Sequence, residues 1–253
     1  MRQFIAETPL DSKGCLKIEG KKFHYLQNVL RVKPGDMIDV RLTDGTLQPM
    51  TVASIDKPAK QIILQTAGAI AGKQNESSAN NAAADELSGT SSALHAAALQ
   101  TKPVTQIYLF QFAAKPAKME QIVRQATECG TAYIIPVEGK FSQSGSIKSA
   151  KEAAQNFTKG GRWDRIITEA RQQCGSATNT KVLPSMTVAE AAAFWKKETE
   201  NGQENLAVVL YEQTKNTMLL HKAAENADKI NKAAIAVGAE GGISPEEIEI
   251  LMD

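Results

Sequence analysis

The chain has 253 residues, 42% of them hydrophobic, and a formal net charge of +1. This length accommodates one large domain or two small ones, and the composition is that of a globular protein that buries a core. No run approaches the roughly 18 apolar residues of a membrane-spanning helix, and the N-terminus lacks the pattern of a secretory signal. The cysteines and histidines are scattered, so neither a disulfide framework nor a metal site is indicated, and we expect a cytoplasmic protein.

The first part of the chain, residues 1–67, has the pattern of short β-strands. Apolar and β-branched residues alternate with turn-forming residues such as Pro34-Gly35-Asp36 and Thr43-Asp44-Gly45. The predicted strands cover residues 37–42, 50–55 and 62–64. Repeated short strands with turns between them predict a small β-barrel or sandwich.

Residues 68–103 break this pattern. Of these 36 residues, 21 are Ala, Ser, Asn or Gly, and none is Val or aromatic. Such a composition buries too little apolar surface to offset the entropy of ordering the chain. We therefore predict a flexible linker or surface insertion that carries no chemistry.

Strands and helices alternate over residues 104–253. The predicted strands cover 105–112, 132–137, 206–211 and 233–237, and the last two are near-continuous apolar runs expected to be covered on both faces. One helix is predicted by apolar residues from Met119 to Ala126, with Gly130 as its stop. Another is predicted by the spacing of Trp163, Ile166, Ile167 and Ala170. The alternation predicts an α/β domain with a mainly parallel sheet.

A glycine-rich loop follows the last predicted strand, with Gly238, Gly241 and Gly242 within five residues. Ser244 is a good N-cap for the next helix, and Glu247 completes a capping box. Glycines between a strand and a helix let the backbone approach a ligand closely, and ligands of such sheets bind at the carboxyl ends of the strands. A tight turn without a ligand is the alternative.

The chemistry of the loop favours a ligand without phosphates. The GxGxxG spacing is absent and no GK[ST] follows, while Glu240, Glu246 and Glu247 would repel a phosphate. A cofactor with a cationic centre fits better, and S-adenosylmethionine is one. Upstream, residues 140–181 hold eight basic and three acidic residues, which is the pattern of an RNA-binding surface or of a solvated helix face.

Four motifs in order resemble the bacterial ribosomal RNA small subunit methyltransferase E family. VGAEGGISPEE at 237–247 resembles its GPEGG-type loop, and HYLQNVLRVKPGD at 24–36 is similar to its HL-x-VLR-x-x-x-GD stretch. KPAKMEQIVRQATECG at 115–130 and RWDRIITEARQQ at 162–173 resemble two of its helices. The motifs cover both predicted domains and omit only the linker.

The resemblance implies a PUA-like RNA-binding β-barrel over 1–67 and a SPOUT-like trefoil-knot methyltransferase domain over 104–253. It also implies transfer of a methyl group from S-adenosylmethionine to N3 of a uridine in 16S rRNA or the assembled small ribosomal subunit, by a homodimer. The cofactor residues carried over are Leu210, Tyr211, Gly238, Glu240, Gly241 and Gly242. The candidates for RNA contact are Arg31, Lys33, Arg162 and Arg165.

Two of these roles have alternatives. Glu240 is the candidate catalytic group, acting as a base or stabiliser at uridine N3, but it is equally suited to orient the loop. Arg31 has the alternative of pairing with a nearby acid instead of RNA.

The chain also departs from the family pattern. The loop proline is Ala239, which loosens the turn, and two family arginines fall at Ser176 and near Phe141. Loss of either arginine would weaken RNA binding unless Lys140 or Arg171 substitutes for it. The family's knot-closing ILR-x-ET segment has no counterpart before Asp253, so if the sequence is complete the knot cannot form in the family's way. The alternative function is therefore a non-catalytic RNA-binding homologue, and a third, disfavoured by the acidic loop, is an α/β enzyme with a phosphate cofactor.

Overall fold

A computed structural model describes residues 3–66, 105–200, 204–213, 217–225 and 229–253. The predicted linker over 68–103 lies outside the described residues. The chain divides into two compact units, residues 1–102 and 103–253. Within the described parts, no helix is both long and apolar enough to cross a membrane.

The first unit is a five-stranded mixed sheet in the order β1-β3-β4-β5-β2. The strands are β1 (Gln3–Ile5), β2 (Cys15–Glu19), β3 (Met37–Arg41), β4 (Leu47–Asp56) and β5 (Gln61–Thr66). The Thr43–Gly45 turn joins β3 to β4 as predicted, and β1 and β2 were not foreseen. The alternate residues that face inward, including Phe4, Ile18, Val40, Val52 and Leu64, form the core of this sheet.

A helical segment between β2 and β3 was not predicted. Helix α1 (Gly20–His24) continues into a π-helical turn at Tyr25–Leu30, and Phe23 and Leu26 are buried against the sheet. The segment ends at Arg31, whose backbone is left-handed with φ 55°. Residues 24–30 of the first family-like motif therefore lie on a helical segment packed on the five-stranded sheet, and residues 31–36 follow it as a loop.

The second unit contains a six-stranded parallel sheet with the main order β10-β11-β6-β7-β8, with β9 paired to β7. Its strands are β6 (Gln106–Phe112), β7 (Tyr133–Glu138), β8 (Lys181–Val182), β9 (Met186–Thr187), β10 (Asn205–Leu210) and β11 (Lys232–Val237). The helices are α2 (Pro116–Glu128), α3 (Ser144–Gln155), α4 (Arg162–Cys174), α5 (Val188–Thr199), α6 (Leu220–Ala223) and α7 (Pro245–Met252).

Two cores cover the two faces of this sheet. Helices α2, α3 and α4 pack on one face around Val123, Ile134 and Trp163. Helices α5 and α7 pack on the other face with Phe110, Ile135 and Ile243. Ile134 and Ile135 belong to different cores because successive side chains of a strand point to opposite faces. The predicted class, a mainly parallel α/β domain after a PUA-like β-domain, is confirmed, whereas the knot stays a prediction.

The prediction that strand β10 is covered on both faces was wrong. Among the described residues β10 pairs only with β11, so it is an edge strand. Ala207 and Leu210 are exposed, and Leu210 keeps 47% of its accessible surface. An apolar run identifies a strand but does not say how much of each face the neighbouring layers cover.

Candidate functional site

The glycine loop begins at the carboxyl edge of the parallel sheet. Leu210 of β10, Val237 of β11 and Gln111 of β6 lie in register, so these strands end side by side. Tyr211 and Gly238 follow the paired Leu210 and Val237 directly. The predicted cofactor residues Leu210, Tyr211, Gly238, Glu240, Gly241 and Gly242 therefore gather at one edge, where ligands of parallel sheets bind.

Close packing explains the three glycines of the loop. A Cβ on Gly238 would lie 2.8 Å from the backbone carbon of Gly242, and one on Gly241 would lie 2.8 Å from Cβ of Phe141. Gly242 has φ +78°, and a Cβ there would lie 3.0 Å from Oε1 of Glu212. Side chains at these positions would force the loop apart, so the tight-turn alternative accounts for the glycines without a ligand.

The turn itself closes with alanine in place of the family's proline. The amide of Gly242 donates to the carbonyl of Ala239 at 3.0 Å. Ala239 packs against the core on the α5 and α7 side of the sheet, and Ile243 is 2% exposed. The loop is thus anchored at both ends by apolar contacts.

A buried glutamine, Gln111, ties the strand ends together. Its Nε2 donates to the carbonyls of Phe112 at 3.0 Å, Val237 at 3.3 Å and Gly238 at 3.1 Å. Gln111 is only 3% exposed, so these contacts satisfy a side-chain amide that is buried among the strand ends. Sequence reasoning missed this residue; its only signal was a polar side chain inside an apolar strand.

Glu240 is exposed and acts as a link between the loop and helix α2. Its Oε1 accepts a hydrogen bond from the amide of Lys115, which precedes α2, at 3.1 Å. Hydrogen bonds from its own amide and from that of Lys115 hold the pKa of Glu240 below its usual value. A lowered pKa makes a weaker base, so this contact favours the loop-orienting alternative. The catalytic role of Glu240 stays a prediction.

Glu247 joins the far end of the loop to the segment after β7. The predicted capping box is present: Oε2 of Glu247 accepts from the amide of Ser244 at 2.9 Å, and Oγ of Ser244 accepts from the amide of Glu247 at 3.4 Å. In addition, Oε1 of Glu247 accepts from the amide of Lys140 at 2.6 Å. Glu247 is 7% exposed, so this carboxylate is a buried connector of two site loops.

The segment after β7 brings two more groups to the site. Phe141, where the family has an arginine nearby, lies against Gly241 and is 48% exposed. The Oγ atom of Ser142 is buried and has no hydrogen-bond partner within the described chain. Ser142 was not predicted, since its burial depends on contacts remote in sequence.

Carboxylates outnumber cations in the loop region, where Lys115 and Lys118 lie near Glu240, and Lys140 lies near Glu246. Glu212 lies beside Gly242, Glu240 reaches α2, and Glu246 pairs with Lys140 at 3.3 Å, with its pKa lowered first by its own backbone amide. This balance suits a ligand with a cationic centre better than a phosphate. In the described ranges, no three His, Cys, Asp or Glu residues are arranged to hold a metal ion.

Two of the predicted RNA contacts, Arg31 and Lys33, line an open groove of about 1060 Å³ in the first unit. Both side chains are exposed, and neither forms an ion pair with a described residue. The nearby carboxylate of Asp36 instead accepts from the backbone amide of Lys33 at 2.7 Å. The alternative in which Arg31 pairs with an acid is therefore not what the structure shows.

The other two, Arg162 and Arg165, lie on helix α4 of the second unit. Arg162 makes a two-pronged contact with Glu120, at 3.1 Å from Nε and 2.8 Å from Nη2. This contact joins α4 to α2 and lowers the pKa of Glu120. Arg165 donates from Nε to the carbonyl of Gly160 at 3.3 Å. Arg162 thus has a structural partner, and Arg165 keeps most of its guanidinium available.

Comparison with known families decides the class of the protein. Residues 100–253 match the RNA methyltransferase domain family. The chain belongs to this family. Residues 18–65 match the RNA methyltransferase PUA domain, so the two described units correspond to the two predicted kinds of domain. No match was found among curated proteins.

Solved structures agree with the family fold. The chain is similar to a ribosomal RNA small subunit methyltransferase E from Neisseria gonorrhoeae bound to S-adenosyl methionine. The TM-score is 0.65 at 18% identity, over 100% of this chain and 85% of that one. It is also similar to a Legionella pneumophila protein solved with its cofactor S-adenosylmethionine, with TM-score 0.63 and 18% identity over 99% and 84% of the two chains. At these identities the likeness establishes the fold of an RNA methyltransferase.

Proposed function

We propose that this protein uses S-adenosylmethionine to methylate N3 of a uridine in 16S rRNA of the small ribosomal subunit. Membership of the RNA methyltransferase family supports the reaction class. The four family-like motifs support the choice of nucleotide and RNA. The observation that carries the proposal is the carboxylate-rich glycine loop, which lies at the carboxyl edge of the parallel sheet between Leu210-Tyr211 and helix α7.

The residues of this edge fit the proposed cofactor. The backbone of Gly238, Gly241 and Gly242 has no side chain to shield it, and Leu210 and Tyr211 supply apolar surface next to it. Glu240 places a carboxylate at the same loop, which favours a positive charge nearby. When bound, S-adenosylmethionine supplies an electrophilic methyl group on a cationic sulfur.

The chain's own residues must orient the uridine and accept its charge. A bond forms between N3 and the methyl carbon, the bond from that carbon to sulfur breaks, and the proton of N3 leaves to a base or to water. Holding the two reacting atoms in line supplies much of the acceleration. Glu240 either receives the proton or holds the loop through Lys115, and Arg31, Lys33, Arg162 and Arg165 are proposed to contact RNA phosphates.

The proposed homodimer rests on the family resemblance and is supported by exposed apolar side chains in the second unit. Phe141, Leu210, Met218, Leu219 and Met252 each expose at least 47% of their surface. Met218 and Leu219 are adjacent in the chain, and contiguous exposed apolar surface often marks a protein interface.

A specific observation keeps the second candidate, an RNA-binding homologue without transferase activity. The loop glycines are accounted for by contacts with Gly242, Phe141 and Glu212, so they do not by themselves require a cofactor. In this case the protein binds RNA but transfers no methyl group.

The test is transfer of tritium from S-adenosyl-[methyl-³H]methionine to small ribosomal subunits, with large subunits as the negative substrate. Methylation at N3 removes the pairing hydrogen of uridine, so reverse transcription stops at the modified position and identifies it. Transfer to small subunits with a single stop at a uridine is the expected result. Transfer to another base, or to large subunits, would contradict the proposal, and RNA binding without transfer would favour the second candidate.

Glu240→Gln separates the two roles of Glu240. A glutamine still accepts from the amide of Lys115, so a loop-orienting role predicts a loss of transfer within about tenfold. A base at N3 predicts a loss of roughly 10²–10⁴-fold. Glu249→Gln, an exposed glutamate on α7, is the matched control and should leave transfer unchanged.

A further inference from the structure

A groove in the first unit joins the helical segment to the β4–β5 hairpin. Its volume is about 1060 Å³, which is at the upper end of the range of small-molecule sites. Gln27, Arg31 and Lys33 line it from the helical side, and Ile55, Lys57 and Pro58 line it from the hairpin. The groove thus combines cationic, amide and apolar groups from two elements.

The groove carries an excess of positive charge. Arg31, Lys33 and Lys57 are all exposed, and none of them is ion-paired within the part of the chain that the structure describes. Asp56 also lines the groove, but its Oδ1 accepts from the backbone amide of Ala59 at 2.9 Å. The groove therefore has three cations and one carboxylate that already accepts a hydrogen bond, which is a charge balance suited to a polyanion such as the RNA backbone.

The backbone holds Arg31 in a defined conformation at the end of the helical segment. Arg31 adopts a left-handed conformation that non-glycine residues seldom occupy, at the end of the π-helical turn. The amide of Val32 donates back to the carbonyl of Leu26 at 3.1 Å, which closes this turn. Unfavourable backbone geometry that is held by its surroundings is frequent at binding sites.

Gln27 is the unexplained polar group of the groove. Its Oε1 is buried and has no hydrogen-bond partner among the described residues, where its amide nitrogen makes no hydrogen bond either. A rotation of the carboxamide therefore breaks no hydrogen bond and can turn either the oxygen or the nitrogen toward the groove. Unpaired buried polar groups are rare in native proteins and call for an explanation.

We propose that this groove binds a nucleotide of the RNA, with Gln27 recognising the edge of its base. The carboxamide accepts from a base N–H and donates to a neighbouring base nitrogen or oxygen, as amide side chains do with unpaired bases. The base lies against Ile55 and Pro58, and the flanking phosphates contact Arg31, Lys33 and Lys57. The inference rests on the proposed function only in taking RNA as the substrate.

The mixed lining favours a whole nucleotide over a phosphate alone. Cations by themselves would bind any phosphate, whereas the apolar wall and the amide match the face and the edge of a base. Binding should therefore depend on the presence of bases, and Gln27 should supply part of this dependence.

The test is fluorescence anisotropy with two labelled probes of equal length, a 12-nucleotide oligouridylate and the corresponding abasic ribose–phosphate oligomer. Gln27→Leu should bind oligouridylate about 5- to 10-fold more weakly and the abasic oligomer unchanged. Gln65→Leu, a half-buried glutamine of β5 outside the groove, should bind both as the wild type does. Lys57→Ala should weaken both probes and lower the salt dependence of binding by about one phosphate contact, whereas Lys60→Ala should not.

The unfolding temperature of Gln27→Leu and a second substitution, Gln27→Met, show whether a loss of binding results from misfolding. Because Oε1 of Gln27 lacks a partner, Gln27→Leu should unfold at the same or a higher temperature, and Gln27→Met provides an unbranched alternative. Folded variants that bind both probes like the wild type, or that lose affinity for both equally, would overturn the inference. Methyl transfer is measured separately. If Gln27→Leu distinguishes the two probes but the wild type transfers no methyl group, the groove inference stands and the proposed function is contradicted. If the wild type transfers methyl groups but Gln27→Leu binds both probes like the wild type, the proposed function stands and the groove inference is contradicted.

Discussion

Replacing Glu247 should destabilise the second unit far more than replacing Glu249, an exposed glutamate of the same helix. The carboxylate accepts from two amides, those of Lys140 and Ser244. In Glu247→Gln the carboxamide must direct its NH₂ group toward one of these donors. The NH₂ group then faces the backbone amide of Lys140 or Ser244, so two donors oppose each other where a hydrogen bond stood. That backbone amide is left without an acceptor.

The magnitude follows from the chemistry of the lost contact. A hydrogen bond to a charged group contributes roughly 1.5–3 kcal/mol, and an unsatisfied buried donor costs roughly 1–3 kcal/mol. Since these terms overlap, we expect a loss of about 3 kcal/mol in the free energy of unfolding. For a unit of this size, that loss lowers Tm by roughly 6–12 °C.

Tryptophan fluorescence during denaturant unfolding is the assay, because both tryptophans of the chain, Trp163 and Trp195, lie in the second unit. Glu249→Gln is the matched control, for which we expect a change within about 0.5 kcal/mol. If Glu247→Gln and Glu249→Gln unfold at the same denaturant concentration, the buried carboxylate does not connect the two loops as described.

Three further changes test other parts of the structure. Gly238→Ala should lower stability by about 1–3 kcal/mol in thermal unfolding, because its Cβ would lie 2.8 Å from the Gly242 backbone; a loss below about 0.3 kcal/mol would show that the loop is loose. Met119→Ala, at a site 1% exposed, should cost about 2–5 kcal/mol in denaturant unfolding, and a smaller loss would argue against the α2 core contact. The hydrogen bond from Lys232 lowers the pKa of Glu198 below its usual 4.5, so this pair stabilises the fold above that pH and loses its effect as pH falls through the lowered pKa. Glu198→Gln should therefore cost about 1 kcal/mol at pH 7, and its stability should approach that of the wild type below pH 4.5; an equal difference at both pH values would contradict the pairing.

Local patterns predicted the elements whose sequence signal is contained within a few residues. The spacing of Trp163, Ile166, Ile167 and Ala170 predicts one buried helix face, and all four side chains are buried in α4. The Ser244–Glu247 capping box was equally readable, because both partners lie three residues apart. Such signals need no knowledge of the rest of the fold.

Features that depend on distant partners could not be read in this way. The position of β10 at the edge of its sheet and the packing of Phe23 and Leu26 on the five-stranded sheet both involve residues remote in sequence. At the candidate site, the bond from Lys140 to Glu247 joins residues 107 positions apart. The sequence pattern located the glycine loop but not the groups that hold it in shape.

The most direct test of cofactor binding at this loop is calorimetric titration of the protein with S-adenosylmethionine, with Gly241→Arg and Glu249→Gln run alongside. We expect the wild type and Glu249→Gln to bind one cofactor per chain. Gly241→Arg should not bind while remaining folded by tryptophan fluorescence, because its side chain would occupy the loop beside Phe141. A folded wild-type protein that does not bind, or a Gly241→Arg variant that binds equally well, would contradict a cofactor site at the glycine loop.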